Sequence, residues 1–476
     1  MYNQIILLGV VISMIFTELT GLSAGLIVPG YLVLALHSPG RIAVTLAVAA
    51  AAVLLCRLAS RWLILYGRRR FAFLILLTFL LSWALSACRL LPFSVIGVLM
   101  PGILAREIDR QGFRDALLAI AAATLLTALV LAVAWLAACL LLTLARGQKR
   151  PAEDYAVKLQ AAQTLQGWMD DVKRYKLEAG LAITPYDTHQ TGMIGDEYTP
   201  ITTSLGSEEA KRTTANADMA ALLVQMLTEA GVKTGDTIGA GFSGSFPTMN
   251  LALLAACEAM QVKVIYIASL GASTFGANQP EFTFPDMVCR LYLEGKLQTP
   301  PALITPGGDY DCGGEMFEED REAALARIAG YGVAEILREK DFAANLKARE
   351  ALYAAQGPIS CFVGVGGNIT TIGMQEDTMK PGVLAPYTVT AVRPDDGLLQ
   401  YYNARGLPVL HILNIKQLAA QYSLPFDPEI ILPPGQSAVY FCTEYPRALA
   451  AAGVLGAAVL LLFACKKPRD RKGEPC

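Results

Sequence analysis

Two ten-residue stretches decide how this chain is read: AGLIVPGYLV at 24–33 and IGVLMPGILA at 96–105. Aligned on their Pro-Gly pairs, Gly25 falls on Gly97, Pro29 on Pro101, Gly30 on Gly102 and Leu32 on Leu104. Each stretch sits in an apolar region yet carries the two poorest helix formers at its centre. In lipid a broken backbone survives only where protein or a water-filled cavity satisfies the freed N–H and C=O groups. The pairs therefore mark either packed kinks or segments that open a polar seam in the bilayer.

Working outward, residues 1–145 are mostly apolar, whereas 150–446 carry balanced charge with regular Gly and Pro punctuation. Over all 476 residues the hydrophobic fraction is 54%, the net charge −2 and the mean hydropathy +0.43. That hydropathy is too high for an ordinary globular enzyme and points to a membrane protein with a soluble part. A bilayer crossing needs about 20 apolar residues. The candidate spans are 4–16, which is short, then 42–65, 71–91, 116–144 and 448–464. The first apolar run lacks a basic n-region and leads straight into TELTG, so it is expected to remain in the membrane.

Each copy of the repeat comprises a helix, a Pro-Gly segment and a second helix, with 21–58 matching 93–130. Three crossings per copy would invert the second copy relative to the first, the plan by which many transporters build a site at mid-depth. The half-helix ends would then turn N–H groups and a positive dipole towards an anion. Gly25, Pro29, Gly30, Gly97, Pro101 and Gly102 are accordingly candidate substrate-binding positions. Glu18, beside the first segment, is another, since an ionisable group at membrane depth is a functional candidate; the alternative is a residue that marks the interface. Arg106 and Arg110 follow the second segment with Glu107 and Asp109, and a solvated helix end is the plainer reading of that cluster.

Positive charge orients the module. Two crossing Pro-Gly segments put Arg57, Arg61, the GRRR at 67–70, Arg106, Arg110, Arg114 and the tail KKPRDRK (466–472) inside. Arg41, Arg89 and RGQKR (146–150) then lie outside. Re-entrant segments would move the tail and Arg106, Arg110 and Arg114 outside. The crossing arrangement wins the count and places 150–446 outside the cytoplasm, with RGQKR as contrary testimony.

In the soluble part, strand-like runs end in Gly/Ser loops and lead into helical patterns at 236–260, 263–280, 302–328 and 359–373. Such alternation predicts βαβ units around a parallel sheet, with ligands held outside the carboxyl ends of the strands. Ser243, Ser245, Ser269, Ser273, Thr274, Gly366, Gly367 and Asn368 would supply donors there. GFSGS at 241–245 resembles a serine-nucleophile turn without matching G-x-S-x-G. A Ser243 nucleophile needs a base, and His189 and His411 are the histidines of this part. A tight turn without chemistry is the plainer alternative. GGDYDCGGE (307–315) lacks the spacing of a calcium loop and reads as a solvated acidic turn. The irregular polar stretch 184–207 is expected to lie over the strand ends.

No metal site is expected, since no C-x-x-C occurs and the histidines are His37, His189 and His411. Cys56, Cys88, Cys139 and Cys465 read as small buried hydrophobes, and Cys257, Cys289, Cys312, Cys361 and Cys442 leave room for one bridge. No G-x-x-x-x-G-K-[ST] occurs, so the chain has no recognisable ATP-binding P-loop and no cofactor is expected. Near-zero charge without a basic stripe gives no support to nucleic-acid binding.

The segments AGLIVPGYLVLAL, LILYGRRRFAFLIL and IGVLMPGILAREIDRQG, in this order, resemble PgsC/CapC, the small membrane subunit of bacterial poly-γ-glutamate synthesis. The resemblance covers about 1–145, including Glu18 and Gly21 of TELTG. It implies work beside an ATP-dependent ligase (PgsB/CapB) and an outward-facing subunit (PgsA/CapA), in making and exporting a long polyanion. The soluble part is similar to the PgsW-type poly-γ-glutamate system protein, which would make the chain a fusion. The expected architecture is a multipass α-helical membrane module with two Pro-Gly-broken segments in an inverted repeat (1–145). It continues into an α/β Rossmann-like soluble domain (150–446) and a C-terminal transmembrane helix (448–465) with a basic tail (466–476). The expected function is a component of the capsule synthesis and export complex at the bacterial cell membrane, guiding or translocating the polymer. The alternatives are an extracytoplasmic serine hydrolase or transpeptidase acting on γ-glutamyl chains, and a structural scaffold for the ligase.

Overall fold

In the computed structural model, which describes residues 2–36, 38–87, 94–375 and 379–465, the chain divides into two units. One is Met1–Gln148 with Glu444–Cys476, and the other is Lys149–Thr443. Arg89, Cys88, His37 and the tail 466–476 lie outside the described residues.

The first unit contains α1 (Tyr2–Thr20), α2 (Val28–Ala35), α3 (Pro39–Ala59), α4 (Gly67–Ala87), α5 (Met100–Gln111), α6 (Phe113–Ala145) and α7 (Arg447–Cys465). Helices α1, α3, α4 and α6 are long and apolar enough to cross a bilayer. The Pro-Gly pairs do not break helices, as the sequence suggests; they begin them. Pro29 and Pro101 stand in the first turns of α2 and α5, behind Ile27 and Leu99. A first-turn N–H has no intrahelical partner, so proline loses nothing there. Before each half-helix the chain is irregular and turns on a glycine with positive φ, Gly25 at +76° and Gly97 at +62°, a conformation closed to most side chains.

Side chains of neighbouring helices satisfy the irregular backbone. Ser13 Oγ donates to the Gly25 carbonyl at 3.1 Å. Gln111 takes the Ser23 N–H at 3.0 Å and donates to the Ser23 carbonyl at 2.5 Å. In the second copy, Thr45 Oγ1 accepts from Ile96 N at 2.9 Å, and Arg41 donates to the carbonyls of Ser94 and Val95. This is the protein satisfaction that lipid demands of non-helical backbone.

These contacts also fix direction. Gly25 lies at Ser13 and Gly30 at Ile6, so the first segment runs back along α1. Gly102 lies at Ile75 and Thr78, and Asp109 at Arg70, so the second runs back along α4. The second also follows α3 from Arg41, at Ser94, to Arg57, at Asp109. Gly30 on Ile6 and Gly102 on Thr78 are the same contact one repeat apart.

The second unit is built on a six-stranded sheet: β1 (Thr237–Phe242), β2 (Lys263–Ser269), β3 (Leu303–Thr305), β4 (Cys361–Val365), β5 (Gly382–Leu384) and β6 (Val409–Ile412). Their order is β5-β6-β4-β1-β2-β3, parallel throughout except for β5. The four expected strand–helix runs thus all contribute strands. Alternate residues feed two cores, as a sheet covered on both faces requires. Val264, Tyr266, Ala268, Val363 and Leu410 face the helices Tyr155–Glu178, Asp218–Glu229 and Pro247–Met260. Ile265, Ile267, Phe362 and Val409 join Tyr353, Leu398 and Tyr402 on the other face. On that face β1 offers Gly239 and Gly241 after Thr237, which lets Tyr353 and Thr371 approach its backbone.

Candidate functional site

Chain order runs outward from β1 to β2 and β3 on one side and to β4 and β6 on the other, so the direction of winding reverses between β1 and β4. At such a switch point the loops leaving adjacent strands diverge and leave a crevice. A cavity of about 620 Å³ lies there. It is lined by Ser243 and Ser245 after β1, Gly271 and Ser273 after β2, Gly307 to Asp309 after β3, Gly367 and Asn368 after β4, and Asn414 and Lys416 after β6. The polar stretch expected over the strand ends contributes Thr203 to Ser207.

The floor is a hydrogen-bonded chain. Asn368 Nδ2 donates to Ser269 Oγ, which lies 3.0 Å from Thr305 Oγ1, and that hydroxyl donates to Asp311 at 2.9 Å. Asp311 receives Arg349 at 2.5 Å, and both side chains are shut off from solvent. The solvated acidic turn expected at 307–315 is therefore corrected for Asp311. The residue is buried because the left-handed backbone at Tyr310 and Asp311 turns it inward onto Arg349. Asp309 remains exposed, and its N–H donates to Glu315, whose carboxyl burial pushes above its usual range.

The serines form one cluster. Ser243 Oγ lies 2.9 Å from Ser245 Oγ, and Ser245 Oγ accepts from Ser273 N at 3.0 Å. Asn250 Nδ2 holds the Ser243 carbonyl at 2.7 Å from the first turn of the helix Pro247–Met260. Neither histidine lines this cavity. His189 Nε2 lies 2.9 Å from the Pro428 carbonyl, and His411 is buried within β6.

A residue that sequence reasoning missed stands in their place. Lys211 is 3% exposed; its Nζ lies 2.8 Å from Ser273 Oγ, donates to the Ser245 carbonyl, and sits 3.7 Å from the centre of the Phe246 ring. Burial pushes its ammonium down to about 7. Its helix, Glu208–Thr214, starts on Ser207, whose hydroxyl accepts from Ala210 N. The available signal was the cap SEEAK at 207–211, which fixes a helix but not the inward face.

In the first unit the candidate residues separate. Gly25, Pro29, Gly30, Pro101 and Gly102 are buried, and Gly97 is exposed. A β carbon on Gly25 would lie 3.4 Å from Ile103 Cγ2, so the two Pro-Gly segments meet and are packed shut there. Glu18 is exposed near the end of α1. Arg106 is exposed with its guanidinium 4.8 Å from the centre of the Phe71 ring, and Arg110 is exposed as well. The expected solvated helix end is corrected for two members. Asp109 is held by Arg70 at 2.6 and 2.7 Å, and Glu107 is 5% exposed with one carboxyl oxygen lacking a hydrogen bond. Asp109 faces Arg57 of α3 and Arg70 of α4, while Glu107, two residues back and so on a different side of α5, is buried as well. Cys56, Cys139, Cys257, Cys289, Cys312, Cys361 and Cys442 are all free thiols, so no bridge joins them.

Long apolar helices tied together by duplicated Pro-Gly half-helices define a multipass membrane protein. The family described as capsule biosynthesis CapC matches residues 8–117. The capsule biosynthesis protein CapC of Bacillus anthracis is 42% identical over 115 residues, which cover 22% of this chain and 77% of that protein. The PGA biosynthesis protein CapC of Bacillus subtilis (strain 168) is 37% identical over the same length and coverage. The chain belongs to the CapC family through this unit. No solved structure matches it.

Proposed function

We propose that this protein is a membrane component of the capsular poly-γ-glutamate synthesis and export complex, in which two oppositely directed Pro-Gly segments guide the polyanion across the bilayer. Family membership supports the role in capsule and poly-γ-glutamate biosynthesis alongside other Cap proteins. The observation that carries the finer reading is that each Pro-Gly segment runs the length of its own long helix, α1 or α4, instead of turning back. Irregular chain plus half-helix then makes a crossing, and the two half-helix N-termini approach mid-depth from opposite sides. There, backbone N–H groups and helix dipoles favour carboxylates. Passage requires the contact of Gly25 with Ile103 to part.

Arg57, Arg70 and Arg106 gather at one end of the bundle around Asp109 and Phe71, which supports that end as cytoplasmic. Counting α7 as a seventh crossing, Lys149–Thr443 then faces outward. A PgsB/CapB-like ligase would supply ATP chemistry, with a PgsA/CapA-like subunit as the other partner. The doubly wound strand order supports a Rossmann-like soluble domain, and its sequence resemblance assigns it to the PgsW type. A second reading, a serine hydrolase or transpeptidase acting on γ-glutamyl chains, is favoured by the buried serines that line the switch-point cavity.

The test is thiol accessibility in intact cells, with a cysteine in place of exposed Tyr198 on a background lacking accessible thiols. Labelling by an impermeant maleimide is expected. Protection until lysis would put the domain in the cytoplasm and remove the crossing arrangement.

A further inference from the structure

We infer that Ser273 and Lys211 form a nucleophile–base pair for acyl transfer in the switch-point cavity. Both line the cavity and both are more than nine-tenths buried, with Nζ 2.8 Å from Oγ. A serine becomes a competent nucleophile when a base lies within hydrogen-bond reach of its hydroxyl. Ser273 satisfies that condition. Ser243 does not, because its Oγ neighbours are the Ser245 hydroxyl and N–H, with the Gly271 carbonyl at 3.5 Å.

Lys176 in the same unit is 2% exposed and gives its Nζ to the Ile194 carbonyl, whereas Lys211 also meets a serine hydroxyl. Lys158 is as buried as Lys211, yet it takes the Asp154 carboxylate at 3.1 Å. Lys211 has a carbonyl, a hydroxyl and an aromatic face instead. The other titratable groups that line the cavity are Asp309, Glu315 and Lys416. Burial without a carboxylate partner disfavours the ammonium, and its displacement to about 7 leaves neutral amine available. Backbone and hydroxyl contacts hold the pair in place. Ser273 N donates to Ser245 Oγ, Thr274 N donates to the Ser204 carbonyl, and Gly206 N donates to Thr274 Oγ1. Gly206 closes over the pair: a β carbon there would lie 2.7 Å from Ser273 Oγ and 3.2 Å from Lys211 Cε.

In the reaction, Ser273 Oγ bonds to the carbonyl carbon of an amide while its proton passes to neutral Lys211 Nζ. The C–N bond then breaks as Lys211 returns that proton to the leaving nitrogen, and an ester remains on Ser273. Water, or the amine of a second chain, gives a proton to Lys211 and attacks the ester. The bond to Oγ breaks and Lys211 reprotonates Ser273. Water yields hydrolysis and an amine yields transpeptidation. The assignment of γ-glutamyl amides as substrate rests on the proposed function; the pair itself does not.

The full chain in detergent, treated with a fluorophosphonate and digested for mass spectrometry, tests this directly. The expected adduct is on Ser273, absent in Ser273→Ala and formed about 100-fold more slowly in Lys211→Met. The labelling rate of the native protein should rise through a midpoint near 7, and Lys211→Arg should abolish that rise. Thermal unfolding of each variant identifies any that has lost its fold, and for such a variant the pH profile of the native protein decides. An adduct on Ser243, no adduct at all, or a Ser273 rate indifferent to pH and to Lys211 would overturn the pair. Short γ-linked glutamate oligomers form the second arm. Labelling of Ser273 without their cleavage or transfer keeps the pair and removes the polymer as its substrate.

Discussion

Gly30 lies so close to Ile6 that a β carbon on it would stand 2.7 Å from the Ile6 Cα and 3.0 Å from the Ile5 carbonyl oxygen. Those obstacles are backbone and cannot rotate away. Gly30→Ala should therefore destabilise by about 1–3 kcal/mol, although alanine is the better helix former by about 1 kcal/mol. Its repeat partner Gly102 meets first the side chains of Ile75, at 3.0 Å, and Thr78, at 3.2 Å. Gly102→Ala should cost less, because side chains can yield. Thermal unfolding in detergent compares the two, and equal losses would refute the distinction.

The charged end of the first unit depends on Asp109. Two charge-assisted hydrogen bonds join it to Arg70, while Arg57 stands at 3.7 Å and is largely exposed. Asp109→Asn should cost about 1.5–3 kcal/mol, whereas Arg57→Gln should cost less than about 1 kcal/mol. A double-mutant cycle of Asp109→Asn with Arg70→Met should show most of the loss already present in either single variant.

Arg349 neutralises a carboxylate that has no route to water. Arg349→Met strands Asp311 and should cost about 3–5 kcal/mol, much of it recovered when Asp311→Leu is added. Because Asp311 also receives Thr305, whose hydroxyl meets that of Ser269 beneath Asn368, the single variant should loosen the cavity floor as well. Hydrogen exchange of 366–372 would report it.

Two manipulations separate chemistry from folding at the serine cluster. Gly206→Ala crowds Ser273 Oγ, so fluorophosphonate labelling should slow by about tenfold or more while the melting temperature moves little. The pH dependence has a definite sign. Lys211 must be neutral to accept a proton, and its folded value of about 7 is depressed, so labelling falls below that pH and levels off above it. A carboxylate or an unperturbed histidine as base would place the midpoint lower.

The repeat was legible because its signal is local: a Pro-Gly pair with flanking glycine and leucine recurs in register. The four strands and their Gly/Ser loops were legible for the same reason, since each strand and its loop are contiguous. The helical pattern expected within 263–280 is instead two short strands, Ala272–Ser273 and Asn278–Gln279, with the helix beginning at Phe284. What the sequence concealed depends on contacts between distant residues. Lys211 reads as an ordinary surface lysine beside Arg212, which does reach outward to Glu208 and Asp427. Only the fold brings it to Ser273, 62 residues further on. Asp311 looked solvated for the same reason, its partner Arg349 being 38 residues away. Position 29 in turn reads as a helix breaker until the irregular chain before it is seen to lean on Ser13 and Gln111.

Helix α6 has 33 residues where its repeat counterpart α3 has 21. At 1.5 Å per residue it is about 50 Å long, well beyond a bilayer core. Two glycines of α7 meet the surplus: Gly453 packs on Cys139 and Gly456 on Trp135, past the stretch that α3 duplicates. At these two positions the helix that follows the sheet unit therefore docks on residues of α6 that α3 does not match. Close packing of α7 at these points thus uses a part of α6 that lies outside the repeated pattern.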